Sequence, residues 1–255
     1  MIGKFSSEIV LSEKIQLSLH LFNGAMKKDY KHVTCQNCEA KGNSLFAHFD
    51  CDETTCLNND KTARYYKKGQ TIFLAGSTPR GVFCLNKGKI KIFSLGEEGK
   101  EQIIHIAAEG EIVGFRAMFS GDPYIVSAET LEECTICFIS KEDFLSMIDS
   151  NAVLRNGIMK ELSKELSERA KFITNMAQKS VKDRLAFSLV MLQDIYGSEP
   201  INLSREDLAN FVGTATETLI RLLTQFKTEG FIRTETRKLW VIDREALIEL
   251  SGNYS

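Results

Sequence analysis

Short hydrophobic runs separated by glycines fill the chain between residues 62 and 139. Seven runs are rich in β-branched and aromatic residues, and they cover residues 71–74, 81–85, 89–95, 102–107, 112–115, 127–131 and 135–139. Many short strands at near-regular spacing, with glycine at the turns, are typical of small antiparallel barrels and rolls. The pattern predicts an antiparallel β-roll over this part of the chain.

The hydrophobic period changes after residue 150. Apolar residues then recur at steps of three and four, at Leu154, Ile158, Leu162, Leu166, Ala170, Ile173 and Ala177. This spacing predicts one amphipathic helix over residues 150–178, about 43 Å long. Because a small roll cannot cover so long an apolar stripe, a second copy of the chain is expected to pack on it. The alternative is a helix that lies on its own domain.

The last quarter of the chain reads as helix, helix, tight turn, helix and hairpin. An apolar-periodic helix over residues 182–195 is followed by two short helices, for which Ser204 with Asp207 and Thr214 with Glu217 supply N-terminal capping pairs. Gly213 permits the sharp turn between them. The order predicts a helix-turn-helix whose second helix enters the major groove of DNA by its N-terminal end.

Several polar side chains of this segment are candidates for DNA contacts. Glu217 and Arg221 are four residues apart on one helical face, and they suit cytosine N4 and guanine O6/N7. Phosphate contacts are expected from Ser204, Arg205, Thr216 and Thr218, and from Arg237 and Lys238 at the tip of a hairpin wing. The alternatives are that Glu217 only caps its helix and that Glu217 and Arg221 form only a surface ion pair.

Composition indicates a folded protein of two domains. The chain has 255 residues, of which 43% are hydrophobic and 26% charged. Its net charge is −2, and residues 179–255 carry ten Lys and Arg against eleven Asp and Glu, so DNA affinity must come from a local patch. No apolar segment is long enough to span a membrane, which predicts a cytoplasmic protein without a membrane partner. In the cytoplasm, the seven cysteines of the chain are expected to keep reduced thiols.

The whole arrangement resembles the Crp/Fnr family of dimeric transcription regulators over residues 35–242. In the helix-turn-helix, the resemblance is carried by Leu203-Ser-Arg-Glu-Asp-Leu-Ala, Val212-Gly213, Glu217-Thr218 and Arg221-Leu-Leu. In the roll, it is carried by Lys68-Gly-Gln-Thr-Ile-Phe, Gly76, Gly88-Lys-Ile-Lys and Gly110-Glu-Ile-Val-Gly114. The resemblance implies an α+β fold, with an N-terminal antiparallel β-roll (a double-stranded β-helix), a long dimerisation helix and a C-terminal winged helix-turn-helix.

The resemblance also implies partners and residue roles. Glu217 and Arg221 match the base-reading residues of the family, and Ile220 stands where its oxygen-sensing members carry a further specificity residue. A homodimer on palindromic double-stranded DNA with a TGA-like half-site core is implied, and RNA polymerase is an expected partner. We divide the chain into an N-terminal extension (1–34), a sensor roll with the cysteine segment (35–149), a dimerisation helix (150–178) and a DNA-binding domain (179–255).

The predicted effector pocket lacks the residues that hold cyclic AMP in members that bind it. Those members have a Glu after the pocket glycine and an Arg-Ser pair, whereas here Phe115 follows Gly114 and Val126 precedes Ser127. A ribose needs an acceptor, and a cyclic phosphate needs a cation or a nest of donors. Cyclic AMP is therefore not the expected effector. Arg116 either anchors another anion or is an ordinary surface residue.

The cysteines offer a second kind of sensor. Cys35 and Cys38 resemble the paired ligands of the iron–sulphur members of the family, and Cys137 matches their distant ligand. Ser44 stands where a third nearby Cys is expected, so Cys51, or alternatively Cys56, is the substitute. Four thiolates suit an iron–sulphur cluster or zinc, and thiol redox chemistry is a further option. Cys84 and Cys134 are predicted to be buried, inert strand residues.

No catalytic constellation is present in the sequence, because its four histidines are scattered outside any metal-ligand or triad spacing. The predicted function is therefore regulation and not catalysis: a homodimer that binds palindromic promoter DNA in response to a redox signal or a small molecule. The alternative is a ligand- or redox-sensing module that regulates a protein partner and no longer binds DNA.

Overall fold

The glycine-punctuated segments form two four-stranded antiparallel sheets in the computed structural model, which describes residues 34–252. The first sheet has the order β1-β8-β3-β6 and the second the order β2-β7-β4-β5. The strands are β1 (Lys61–Tyr66), β2 (Thr71–Phe73), β3 (Gly81–Lys87), β4 (Ile90–Leu95), β5 (Glu101–Ala107), β6 (Ile112–Val113), β7 (Ser127–Thr130) and β8 (Cys134–Ser140). The predicted roll is confirmed.

Two local features differ from the sequence prediction. Strand β1 was not predicted, because it lies at a sheet edge and half of its residues are exposed, so hydrophobic residues do not mark it. The predicted strand over residues 112–115 ends at Val113, since Gly114 takes a left-handed conformation (φ 92°) and Phe115 begins a helix. Glycine tolerates this conformation without a steric cost.

Eight α-helices lie in the described part of the chain. They are α1 (Cys51–Asp60), α2 (Phe115–Ser120), α3 (Lys141–Ser150), α4 (Ala152–Gln178), α5 (Val181–Tyr196), α6 (Arg205–Val212), α7 (Thr216–Thr228) and α8 (Arg244–Leu250). A 3-10 helix, Glu39–Asn43, precedes them, and strands β9 (Ile232–Glu235) and β10 (Lys238–Val241) form a hairpin after α7. None of the helices described here is long and apolar enough to cross a membrane.

The long helix α4 is buried only at its beginning. Asn151 caps it, accepting the backbone N–H of Leu154 at 2.8 Å, and Leu154 and Ile158 pack against the roll. Further along the same stripe, the side chains of Leu166 and Ile173 are 74% and 66% exposed. The roll therefore buries Leu154 and Ile158 and partly covers Leu162, whereas Leu166 and Ile173 stay exposed.

The core of the helix-turn-helix extends onto the outer face of the second sheet. Helices α5 to α8 share one hydrophobic cluster with four residues of the roll, Phe93, Ile103, Ile106 and Leu131. A separate cluster fills the space between the two sheets, around Leu85, Ile90 and Ile136. Sensor and helix-turn-helix are thus packed together in this conformation. The N-terminal extension, apart from Thr34, lies outside the described residues.

Candidate functional site

Helix α6 begins at the predicted cap. The hydroxyl of Ser204 accepts the backbone N–H of Asp207 at 2.9 Å and donates to the Asp207 carboxylate at 2.5 Å. Such a cap satisfies one of the backbone N–H groups that a helix N-terminus leaves without a partner. The side chains of Ser204 and Arg205 are half-buried, and burial lowers the pKa of the Arg205 guanidinium.

The turn between α6 and α7 depends on Gly213 and on a residue that the sequence analysis missed. Gly213 has a φ of 74° and donates its N–H to Ala209 O at 2.9 Å. Arg184, from α5, donates to the carbonyl oxygens of Val212 at 3.1 Å and Gly213 at 3.0 Å. These contacts satisfy carbonyls that a helix C-terminus otherwise exposes. No local sequence signal links Arg184 to a turn almost thirty residues away.

Helix α7 does not begin as predicted, because Thr214 is not its cap. Ala215 is the N-cap residue, and it makes no side-chain capping bond. Thr214 is buried and donates its N–H to Ala209 O at 3.0 Å, so it belongs to the end of the preceding turn. The predicted capping pair of Thr214 and Glu217 is therefore wrong. Glu217 is free of that role.

The N-terminal end of α7 presents polar side chains to solvent. Glu217, Ile220 and Arg221 are exposed, and Thr216 and Thr218 are half-buried beside them. In the part of the chain that the structure describes, no ion pair joins Glu217 to Arg221. Four apolar residues anchor the opposite face of the helix: Leu219, Leu222, Leu223 and Phe226. One face is thus fixed in the core while Glu217 and Arg221 remain available to a ligand.

The wing is a two-residue hairpin. Glu235 pairs with Lys238, which leaves Thr236 and Arg237 at the tip, and Thr236 has a φ of 54°. Arg237 and Lys238 are exposed. The two predicted wing contacts therefore lie at the end of a hairpin, where basic side chains can reach a phosphate backbone.

Two residues of the roll hold α6 in place, and neither was identified from the sequence. Lys91 Nζ, on β4, lies 3.1 Å from Asp207 Oδ1 and 2.6 Å from Glu101 Oε2. Gln102, on β5, donates to Asn210 O at 2.7 Å. A buried ammonium needs such partners because water no longer solvates it. The roll therefore contacts the first helix of the helix-turn-helix directly.

Four of the five predicted effector residues line one cavity of about 540 Å³ between the roll, α2 and α4: Gly114, Phe115, Arg116 and Val126. Ser127 does not line it. Its hydroxyl is buried and accepts the N–H of Ala75 at 3.0 Å, because β7 turns this side chain toward the neighbouring loop. The expectation that Ser127 lines the pocket is corrected accordingly.

Four thiols border a second, much smaller cavity of about 30 Å³, those of Cys35, Cys38, Cys84 and Cys137. Cys84 and Cys137 are register partners on β3 and β8, and Asn86 Nδ2 donates to Cys38 Sγ at 3.1 Å. Burial, followed by the neighbouring thiols Cys137, Cys38 and Cys35, raises the pKa of the Cys84 thiol. The cavity thus collects thiols from the cysteine segment and from two strands.

Two cysteine predictions change as a result. Cys51 and Cys56 do not reach this cavity, because both are exposed on helix α1. That helix begins at Cys51, where Asp50 and Glu53 form a capping box. Cys84 is half-buried beside the other thiols, whereas Cys134 is buried elsewhere, as expected. Within residues 34–252, no group of three or more His, Cys, Asp or Glu side chains is arranged to hold a metal ion.

Two family models match separate parts of the chain. A model described as the cyclic nucleotide-binding domain matches residues 63–151, and the Crp-like helix-turn-helix domain matches residues 183–250. The transcriptional activator protein FnrA of Stutzerimonas stutzeri is 28% identical over 232 residues, covering 87% of this chain and 94% of that protein. The fumarate and nitrate reduction regulatory protein of Escherichia coli K12 is 27% identical, covering 87% and 91%.

A solved structure shows the same fold. FixK2 from Bradyrhizobium japonicum aligns with a TM-score of 0.70 and 18% sequence identity, over 76% of this chain and 99% of that chain. The roll, the long helix and the helix-turn-helix therefore have a known structural counterpart.

Proposed function

The chain belongs to the Crp/Fnr family of DNA-binding transcription regulators, and we propose that two copies of it bind palindromic promoter sites through α7. The observation that carries this proposal is the exposed N-terminal end of α7. Glu217 and Arg221 share its outer face, and the opposite face is packed into the core. A carboxylate and a guanidinium at this spacing match cytosine N4 and guanine O6/N7 in the major groove. The family consists of regulators, and we infer a binding protein and not an enzyme.

Phosphate contacts are assigned to the residues around this face. Thr216 and Thr218 flank Glu217 at the helix N-terminus, where free backbone N–H groups favour an anion. Arg205 at the start of α6 and Arg237 and Lys238 on the wing supply positive charge. Ser204 uses its hydroxyl as a cap, so its backbone is the part left for a phosphate. These contacts would fix the register of the protein on the duplex.

Dimerisation through α4 is the second part of the proposal. Met159, Leu166 and Ile173 are each more than 60% exposed, although they are large and apolar. A second copy packed along this helix would cover them, and the twofold axis would direct the two α7 helices to one side of the DNA. Half-sites one helical turn apart, about 34 Å, follow from this geometry. We also propose a cytoplasmic location and a contact with RNA polymerase at the promoter.

Selection from random duplex DNA, followed by gel shifts, tests the proposal. The expected product is a palindrome, and its affinity for the protein should fall steeply as salt rises, with a slope of about −0.9 per phosphate contact. A scrambled duplex of equal length and composition is the control. If the protein binds no DNA, or binds it with an affinity that does not change with salt concentration, a module that regulates a protein partner is favoured instead.

The roll is proposed to be the sensor. The Glu and Arg that would hold a ribose and a cyclic phosphate are replaced by Phe115 and Val126, and the Ser127 hydroxyl bonds the neighbouring loop. Cyclic AMP is therefore not the proposed effector. An iron–sulphur cluster or zinc at Cys35, Cys38 and Cys137 stays a prediction of the sequence. Iron, sulphide and zinc analysis of anaerobically purified protein tests it, and colourless, metal-free protein would eliminate it.

A further inference from the structure

A two-residue connection joins the long helix α4 to the helices of the DNA-binding domain. Helix α4 ends at Gln178, Lys179 is its C-cap with an extended backbone (φ −92°, ψ 145°), and Ser180 is the N-cap of α5. Among the residues that the structure describes, the hydrophobic cluster of the helix-turn-helix includes no side chain of α4. Apolar packing within this cluster therefore does not hold α4 against the helices that follow it.

One guanidinium lies at the C-terminal ends of two helices. Arg184 Nη1 donates to Lys179 O at 3.1 Å, at the end of α4. Its Nε and Nη2 donate to Val212 O at 3.1 Å and to Gly213 O at 3.0 Å, at the end of α6. Carbonyl groups at the C-terminal end of a helix lack partners within the helix and carry a partial negative charge, which a cation stabilises. Arg184 thus joins the two helix ends through three directed hydrogen bonds.

The turn between α6 and α7 also lies against the last turns of α4. A Cβ at Gly213 would lie 3.2 Å from Met176 Sδ, so the backbone of the turn closely approaches this side chain of α4. Helix α7 begins at Thr216, three residues after Gly213. The N-terminal end of α7, which carries the proposed base contacts, therefore follows directly from the atoms that Arg184 holds.

Helix α6 has a second set of anchors on the roll. Lys91 Nζ lies 3.1 Å from Asp207 Oδ1, and Gln102 donates to Asn210 O at 2.7 Å. These contacts hold the first two turns of α6, whereas Arg184 holds its last residue and the turn that follows. A protein without Arg184 is therefore expected to keep α6 docked on the roll and to lose the link from α4 to the start of α7.

We propose that Arg184 is a positioning residue that sets the separation of the two α7 helices in the dimer, and with it the spacing of the two DNA half-sites. In the proposed dimer, α4 lies along the twofold axis and α7 reads the bases, so the angle between them determines how far apart the two reading ends lie. One base pair adds only about 3.4 Å to the duplex, so a small rotation at the connection shifts the preferred spacing. The inference rests on the proposed function, because it concerns how the dimer reads DNA.

Gel shifts on duplexes that differ only in half-site spacing test the proposal. The wild type should bind the selected palindrome about tenfold more tightly than duplexes with one base pair added to or removed from its centre, and Arg184→Met should reduce this ratio to about twofold. A purely structural defect would weaken binding to all of these duplexes by the same factor and leave the ratio unchanged. An unchanged ratio would overturn the proposal.

A second variant guards against loss of the fold. Arg184→Lys keeps a positive charge near both helix ends but lacks the rigid donor fork of the guanidinium, so it should fold and still lose the spacing preference. Arg155→Met is the matched control, because Arg155 Nη1 donates to Ile148 O at 3.1 Å near the end of α3, away from the DNA-binding helices. The control should keep the wild-type ratio. A wild-type ratio in Arg184→Lys would contradict the assignment.

A distance measurement without DNA keeps this proposal apart from the proposed function. Nitroxide amino acids at the exposed positions Thr174 on α4 and Thr224 on α7 report the distance between the two helices by pulsed electron paramagnetic resonance. Dilution with unlabelled protein limits the signal to pairs within one chain. The wild type should give a narrow distance distribution, and both Arg184 variants should give a broader or shifted one.

The two kinds of failure give different results. Variants with the narrow distribution of the wild type, at the same distance, would overturn the role of Arg184 whether or not the protein binds DNA. Distributions that broaden as expected, in a protein that binds none of the duplexes, would overturn the proposed function and leave Arg184 without a half-site spacing to set.

Discussion

Lys91 Nζ lies 3.1 Å from Asp207 Oδ1, and this contact joins the sensor roll to the first helix of the helix-turn-helix. The Lys91 side chain is only 7% exposed, and Glu101 and Glu129 lie 2.6 and 3.4 Å from the same nitrogen. Burial opposes the charge of Lys91, yet the hydrogen bonds to Glu101 and Asp207 outweigh it and raise the pKa of the ammonium. A single buried cation thus holds three carboxylates from two domains.

Lys91→Met tests how much this contact contributes to stability. The substitution keeps the length of the side chain and removes the charge, so the three carboxylates repel one another without a counter-ion. Loss of one partner from a buried ionic cluster lowers the free energy of unfolding by about 3 kcal/mol. Urea unfolding measures this change. Lys87→Met, at an exposed lysine of the preceding strand β3, should stay within about 0.5 kcal/mol of the wild type. Equal stability of both variants would contradict the role of Lys91.

The sequence predicts the strands of the roll well but not this contact. In the run Ile90-Lys91-Ile92-Phe93, lysine alternates with apolar residues, which normally marks a strand with one face in water. Here α6 covers that face, so Lys91 is buried against Asp207. The pairing joins residues more than one hundred positions apart. Such a contact depends on how domains pack, and no local pattern encodes it.

The same distinction applies to the candidate sites. Glu217 and Arg221 could be identified from the sequence because one helix fixes their spacing. The thiol cavity was predicted only in part. The resemblance grouped Cys35, Cys38 and Cys137, but Cys84 lies beside Cys137 only through the pairing of two strands, and Cys51 is held away from the cavity by its own helix.

Gly213→Ala should destabilise the turn between α6 and α7. Gly213 is left-handed, with a φ of 74°, and a Cβ there would lie 3.2 Å from both Gln102 Oε1 and Met176 Sδ. The backbone conformation alone costs an alanine about 1–2 kcal/mol. Gly230 has a similar φ of 80° but nothing within 4 Å of its Cβ position, so Gly230→Ala is the matched control. Thermal unfolding should show a larger loss of stability for Gly213→Ala than for Gly230→Ala. Equal losses of stability would mean that the neighbours Gln102 and Met176 do not add to the cost of the backbone conformation.

Leu166→Asp combined with Ile173→Asp should separate the dimer. Both side chains are exposed on α4, so the substitutions leave the fold of one copy intact and place charges in the proposed interface. Burying a leucine or isoleucine side chain stabilises an interface by roughly 1.5–3 kcal/mol. Each substituted residue occurs twice in a twofold interface, so the loss of dimer stability is counted twice. Analytical ultracentrifugation should show a monomer. Leu95→Asp, at an exposed residue outside α4, should remain dimeric. A dimeric double variant would move the interface away from this stripe.

Glu111 should make the free energy of unfolding depend on pH in the acid range. Burial alone would raise its pKa, but the hydrogen bond and charge of His105 and the Ala108 N–H lower it below the usual 4.5. A carboxyl with a lowered folded-state pKa stabilises the fold above its unfolded pKa, and this contribution is lost as pH falls through the folded value. Glu111→Gln should therefore be less stable than the wild type at pH 7, and the difference should shrink below about pH 4.5. Urea unfolding at several pH values measures it, with exposed Glu98→Gln as the control. A difference that is constant with pH would mean that the charge of Glu111 contributes nothing.

Arg221→Ala should change which DNA sequence is preferred, and Arg237→Ala should not. Arg221 lies on the exposed face of α7 beside Glu217, where a bidentate contact to guanine discriminates one base pair by about 1–3 kcal/mol. Arg237 lies at the wing tip, so its loss should weaken binding to all duplexes alike and reduce the salt slope by about 1. Selection from random DNA compares the motifs, and gel shifts across a salt series compare the slopes. If both variants select the wild-type motif, α7 does not read bases through Arg221. A wing variant with an altered motif would place base contacts on the hairpin instead.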